Sequence, residues 1–207
     1  LTGLPLRSDV LVAIDSANGD WSAARRSAKR LISEKYGLDE KNPLIFIFGG
    51  SQGSQAINKV IAQARPDLES SGYSILHGVG KNNEVPAPSH QYRALPYISE
   101  MAECYLAADV LIARSGAVTC AEATALSKYS LFIPLPVGNG EQALNAQSLV
   151  EAGRAQVINQ SEFSSEWISA KIADVLSQSS RRSDVGDASG VNSVDKILLI
   201  IERALRG

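Results

Sequence analysis

The sequence has little of what builds disulfide scaffolds, metal centres or membrane spans. Its only cysteines, Cys104 and Cys120, have no CxxC partner and no metal-ligand neighbours. That excludes a disulfide framework and a zinc site of ordinary spacing, and it fits a reducing compartment. The only histidines, His77 and His90, stand in no nucleophile, base and carboxylate arrangement and in no cluster with metal spacing, so both are read as structural or incidental. No apolar run approaches the roughly 18–20 residues of a membrane-spanning helix, and the opening LTGLPLRSDV is no signal peptide. Lys and Arg number 20 against 22 Asp and Glu, a formal net charge of -2. No overall basic field is available to hold nucleic acid or an anionic membrane. These absences lead us to expect a cytoplasmic protein without a metal, a cofactor or a nucleic-acid partner.

What is present is an ordinary globular mixture, 44% hydrophobic and 20% charged over 207 residues, enough for a sizeable core and, at this length, one main domain. The chain has no initiator Met and opens on a Gly/Pro loop, so residues 1–9 read as the remnant of an interdomain linker with something upstream of it. Short β-rich runs then alternate with amphipathic helical patterns, the signature of a parallel sheet with crossover helices. SAARRSAKRLISEKYG reads as a helix stopped by Gly37, and LIFIF, apolar without alternation, as a central strand covered on both faces. A helix follows at 54–64, then strands at 73–77 and 91–94, and a helix at 99–107 capped by Ser99. Strand 109–113, helix 118–126, strand 130–133, helix 142–152, strand 155–159 and helix 165–177 complete the series. The expected fold is α/β, a Rossmann-like, doubly wound parallel sheet of about six strands occupying 10–177. A Ser/Asp/Gly-rich flexible segment at 178–192 and a final helix at 193–207 follow it.

In such sheets ligands bind beyond the carboxyl ends of the strands, and four polar or glycine-rich loops fall there. FGGSQGSQAIN runs a strand through Gly49, Gly50, Ser51 and Gly53 into a helix. Alone it is compatible with a phosphate cradle or with a simple change of chain direction. In RSGAVTCAE, Ser115 and Gly116 form a turn, and the first-turn N–H groups of Ala117, Val118 and Thr119 would meet an anion. Glu122, one turn further, would accept hydrogen bonds from two vicinal hydroxyls, as on a ribose, or act only as a partner of the helix dipole. In GNGEQALNA, Gln142 and Asn145 share a helix face near Glu141, suited to sugar hydroxyls or to a polar first turn facing water. LPYISEM is the fourth such loop. Arg7, after a stiff Gly-Pro turn, would pair with a diphosphate or stand in solvent, and Lys81 reads as a solvated surface lysine.

TGLPLR, FGGSQGSQAIN, LPYISEM, ADVLIARSGAVTCAE and PLPVGNGEQALNAQSLVEAG occur in the order and at about the spacing of the C-terminal half of the MurG family. Those are bacterial N-acetylglucosaminyltransferases that convert lipid I to lipid II in peptidoglycan synthesis. The resemblance covers residues 2 to about 160 closely. It implies the C-terminal half of a GT-B fold, whose donor is UDP-GlcNAc. By that resemblance Arg7 and Ser51, with the Gly50 and Gly53 backbone, lie at the diphosphate. Ile98 reads the uracil edge through its backbone, flanked by Tyr97 and Met101. Residues Ala117 to Glu122 take phosphate and ribose, with Glu122 on the ribose, and Gln142 holds the GlcNAc hydroxyls.

Two departures stand out, since Glu141 occupies a position where many family members have a second glutamine, and HGVGK differs from the usual HQTGK-like form. The resemblance also implies that the lipid I acceptor, the membrane-facing patch and the general base belong to an N-terminal domain. The chain alone is then expected to bind donor without turnover. Two other readings remain at this point: a stand-alone donor subunit of a split UDP-GlcNAc transferase, and an epimerase-like or purely binding nucleotide-sugar domain.

Overall fold

A computed structural model describes residues 4–17, 19–137 and 140–180, with residues 201 and 203. Its centre is β1 (Leu44–Phe48), every residue of which is buried. The strand is parallel to β2 (Ser74–Gly78) on one side and β4 (Val110–Ala113) on the other. Alternation along the strand sends Leu44, Phe46 and Phe48 into one apolar cluster and Ile45 and Ile47 into the other. A strand feeding two cores has no polar face. β3 (Tyr92–Leu95), β5 (Ser130–Phe132) and β6 (Ala155–Val157) complete a six-stranded parallel sheet in the order β3-β2-β1-β4-β5-β6.

The first cluster is covered by α1 (Ser8–Ala17), α2 (Trp21–Tyr36), α4 (Met101–Ala107), α5 (Ala117–Ala125) and α6 (Glu141–Glu151). The second is covered by α3 (Gln55–Ser70) and α7 (Ser165–Ser180). Strand order reverses between β1 and β4, so the connections after them leave in opposite directions and a crevice opens at their carboxyl ends.

Most of the expected elements stand where their periodicity places them, with informative exceptions. α2 is capped by Asp20, whose side chain accepts from the Ala23 N–H, and ends on Gly37 in the left-handed conformation. The helix expected to stop at 64 continues through Pro66 to Ser70. The backbone bond that proline forfeits is offset by burying Leu68 among the α3–α7 contacts and by the Arg65–Glu69 ion pair at 2.5 Å.

Ser99 does not cap α4. The N-cap is Glu100, without a capping side-chain bond, and its carboxylate is drawn instead to Lys35 and to the Tyr36 hydroxyl of α2. α1 has no counterpart in the sequence pattern and begins at Ser8, inside the span expected to be linker. Of the segment expected to be flexible, 178–180 belong to α7, where Tyr129 donates to Gln178 at 2.6 Å. The remainder of that segment and the final helix lie outside the described residues, apart from 201 and 203.

Phe46 is fully buried and meets Phe48 and Tyr105 at ring-centroid distances of 4.8 and 6.0 Å. Phe46→Ala is expected to lower the unfolding free energy by about 3–5 kcal/mol, read from urea denaturation. A change near zero would contradict a close-packed centre at β1.

Candidate functional site

The crevice holds a cleft of about 360 Å³ whose walls come from five different loops and helices. Arg7 precedes α1, Phe48 ends β1 with Gly50 and Ser51 after it, and Gly78 ends β2 with Gly80 after it. Pro96, Tyr97, Ile98, Met101 and Tyr105 come from the β3–α4 connection and α4, and Val118, Thr119 and Glu122 from α5. Nine residues singled out from sequence thus meet in one place: Arg7, Gly50, Ser51, Tyr97, Ile98, Met101, Val118, Thr119 and Glu122.

The glycines give the loops their close approach. Gly53 has φ of +75°, and a Cβ there would lie 1.9 Å from the Val79 carbonyl oxygen. Gly80 has φ of +96°, and its Cβ would lie 2.3 Å from the Gln52 oxygen. Only glycine fits either position, and Asn83 Nδ2 bridges the two turns by donating to Gln52 and Val79 carbonyls at 3.0 and 2.9 Å. Gly53 therefore locks loop to loop and does not line the cleft, although it was expected at the diphosphate.

His77 lies beneath this joint. Asn58 Nδ2 donates to the Val79 oxygen at 2.9 Å, so its Oδ1 accepts from His77 Nε2 at 3.1 Å. That leaves His77 Nδ1 to accept from the Tyr92 hydroxyl at 2.9 Å. Burial pulls the imidazole down to about 4 from its ordinary 6.5, so it is a neutral structural group.

Charge in the cleft is concentrated on Glu122 and Arg7. Glu122 is 2% exposed. Arg7 Nε donates to its Oε1 at 2.5 Å and Arg7 Nη2 to its Oε2 at 2.9 Å, a two-point ion pair across 115 residues. The expected diphosphate arginine and the expected ribose carboxylate are therefore paired with each other. Behind them α5 starts at Gly116 with no capping side chain. An uncapped helix start attracts an anion through its first-turn N–H groups. Arg114 Nη2 donates to the Ser54 hydroxyl at 2.8 Å, and Nη1 donates to the Ile133 and Pro134 carbonyls at 3.0 and 3.1 Å, tying the start of α3 to the end of β5.

The remaining expected residues stand beside the cleft. Ser115 is fully buried, its hydroxyl without a hydrogen-bond partner among the described residues, and with Gly116 and Ala117 it forms the turn into α5. Asn145 Nδ2 donates to the Ser115 carbonyl at 3.1 Å, and Gln142 Oε1 accepts from the Leu135 N–H at 3.0 Å. Glu141 is exposed at the first position of α6. Phe48, Gly78, Gly80, Pro96 and Tyr105 line the cleft without having been singled out. The HGVGK glycines at a strand end carried a usable signal for two of them. Tyr105, in the middle of a helix, carried none.

A larger cavity of about 690 Å³ opens at the opposite, amino-terminal edge of the strands. Its cations are held by the fold: Arg25 on the Leu126 and Ser127 carbonyls, Lys128 on those of Leu106 and Ala108, and Lys29 on Asp109. It lacks the glycine turns and the free helix start of the carboxyl-end cleft.

Residues 44–198 match the glycosyltransferase family 28 C-terminal domain. The chain belongs to this family. Curated relatives of glycosyltransferase family 28 extend the match over nearly all of it. One is the UDP-N-acetylglucosamine--N-acetylmuramyl-(pentapeptide) pyrophosphoryl-undecaprenol N-acetylglucosamine transferase of Corynebacterium glutamicum (strain R). It is 38% identical over 201 residues, covering 97% of this chain and 54% of the relative. The protein of the same name from Streptomyces avermitilis is 36% identical over 206 residues, covering 95% and 54%. The chain spans about half the length of the curated relatives it matches. Among solved structures, Acinetobacter baumannii MurG is similar with a TM-score of 0.63 at 25% identity, covering 80% of this chain and 51% of that one. The calicheamicin glycosyltransferase CalG4, at 18% identity and a TM-score of 0.57, covers 79% and 44% and shares the fold. The family 28 domain here thus presents its carboxyl-end cleft within a GT-B-type half.

His77 gives this family 28 domain a pH signature. Its folded value lies below its ordinary one, so the stability it contributes is complete above pH 6.5 and declines as pH falls toward 4. The decline is of the order of 3 kcal/mol. Thermal melts across that window should show a slope in the parent protein that is reduced in His77→Gln. Equal slopes would contradict a neutral buried imidazole.

Proposed function

We propose that the chain is the donor-binding domain of an inverting N-acetylglucosaminyltransferase, taking UDP-GlcNAc for transfer to lipid I. The observation that carries this reading is the meeting, in one cleft, of a buried carboxylate, an arginine and an uncapped helix start. These are the groups a nucleoside diphosphate requires: acceptors for the ribose hydroxyls, a fixed cation and N–H donors for the phosphates. The relatives' shared name, which specifies UDP-N-acetylglucosamine and a pyrophosphoryl-undecaprenol acceptor, supports the choice of donor and acceptor.

In this reading the ribose diol takes the Glu122 oxygens that Arg7 occupies, and Arg7 turns toward the diphosphate. Tyr97, exposed on the rim with the Lys81 ammonium 5.0 Å from its ring centroid, and Met101 flank the uracil, whose edge the Ile98 backbone reads. Ser51 and Gly50 lie toward the phosphates, and Gln142, Asn145 and Glu141 toward the sugar. As the acceptor hydroxyl attacks C1 of GlcNAc, the C1–O bond to the diphosphate breaks, and Arg7 with the starts of α3 and α5 stabilises the departing charge. The proposal assigns no metal. The base that takes the acceptor proton is assigned to the half of the relatives' length that this chain does not span, together with the acceptor site and the membrane contact. That contact is proposed to be peripheral; among the described residues no helix is long and apolar enough to cross a membrane.

Calorimetric titration with UDP-GlcNAc, UDP-glucose and GDP-mannose tests the assignment. UDP-GlcNAc should bind and GDP-mannose should not, and equal binding of both would overturn uracil reading at Ile98. Glu122→Ala should weaken UDP binding by about 1–3 kcal/mol through loss of charged hydrogen bonds. Unchanged affinity would overturn the ribose role.

A further inference from the structure

Tyr105 occupies the middle of α4, and its ring meets Phe46 and Phe48 edge-on, with centroids 6.0 and 5.7 Å apart. Phenylalanine would make the same contacts. What distinguishes tyrosine is a hydroxyl that is fully buried and makes no hydrogen bond of full geometry among the described residues, Glu122 and Thr119 standing close enough only for weak hydrogen bonding. It lies beside Glu122 and Thr119 and lines the cleft. A buried hydroxyl so weakly met adds little to folding, and burial, with the Glu122 carboxylate beside it, holds this phenol well above its usual range, so it stays a proton donor. The neighbouring carboxylate only accepts. A vicinal diol that gives both its protons to Glu122 still has oxygen lone pairs to be met, and the group positioned to meet one of them is the Tyr105 O–H.

We infer that Tyr105 is a donor-binding residue whose hydroxyl hydrogen-bonds to a ribose hydroxyl oxygen of the bound nucleotide, pairing with Glu122 to recognise the ribose diol of a nucleoside diphosphate. This rests on the reading of the cleft as a UDP-sugar site. It adds a contact that the glycine turns, Arg7 and Glu122 do not supply, and it accounts for a buried hydroxyl that is only weakly met in the free protein.

The test is Tyr105→Phe, which preserves the ring packing. Thermal melting of the free variant should occur at about the parent temperature or above it, because only a weakly met buried polar group has been removed. Titration should show UDP binding weakened about 5- to 10-fold, as for loss of one hydrogen bond. With the 2′-deoxy and 3′-deoxy analogues of UDP, one should bind parent and variant equally, identifying the oxygen that Tyr105 contacts. Three results would overturn the inference: equal UDP affinity in the two proteins, equal weakening for UDP and both analogues, or a clearly lower melting temperature for the free variant, which would mean a structural partner. Failure of the parent protein to bind UDP at all would instead overturn the donor-site reading on which the inference stands.

Discussion

The structure turns on β1, a five-residue strand with parallel neighbours on both edges and helices on both faces. That position admits only apolar side chains, and it makes β1 and β4 the place where sheet order reverses. A reversal leaves a crevice at the carboxyl ends that no crossover helix fills. The glycine turn after β1, the glycines after β2, the β3–α4 connection and the start of α5 all deliver their residues there. Side chains from positions as distant as Arg7 and Glu122 therefore converge without any local pattern linking them.

Electrostatics complete what topology begins. A carboxylate as buried as Glu122 requires a partner, and Arg7, entering from the opposite end of the chain, supplies two hydrogen bonds. Arg7 is itself partly exposed, so its side chain has room to move when another donor reaches the carboxylate. The free site is thus satisfied by its own ion pair at Glu122 and only weakly met at the Tyr105 hydroxyl. A ribose would exchange the first interaction and complete the second.

Much of this was legible in the sequence, wherever a feature is written in consecutive residues. The alternation of β-rich and amphipathic segments gave the six-stranded sheet, and the strand-end clusters gave the cleft. Boundaries failed where tertiary contacts outweighed local rules: α3 passes Pro66 because Leu68 is buried beyond it, and Ser99 yields to Glu100 because Lys35 and Tyr36 hold the Glu100 carboxylate. α1 was missed because the Gly/Pro opening read as linker, although Val10, Ala13, Ile14 and Ala17 carry helical spacing and pack on the first cluster. The sequence could not show that Gly53 packs against the Val79 carbonyl and does not line the cleft, because turn geometry and loop packing both ask for glycine. Tyr105 was invisible for the opposite reason, since an aromatic residue inside a helix reads as core and only its hydroxyl sets it apart from phenylalanine.

The most direct measurement is a crystal structure of the chain with UDP bound. The account predicts the ribose hydroxyls within hydrogen-bond distance of Glu122, the Arg7 guanidinium moved from that carboxylate to the diphosphate, and the phosphates at the glycine turn and the start of α5. An intact Arg7–Glu122 pair, with the nucleotide seated elsewhere, would contradict it.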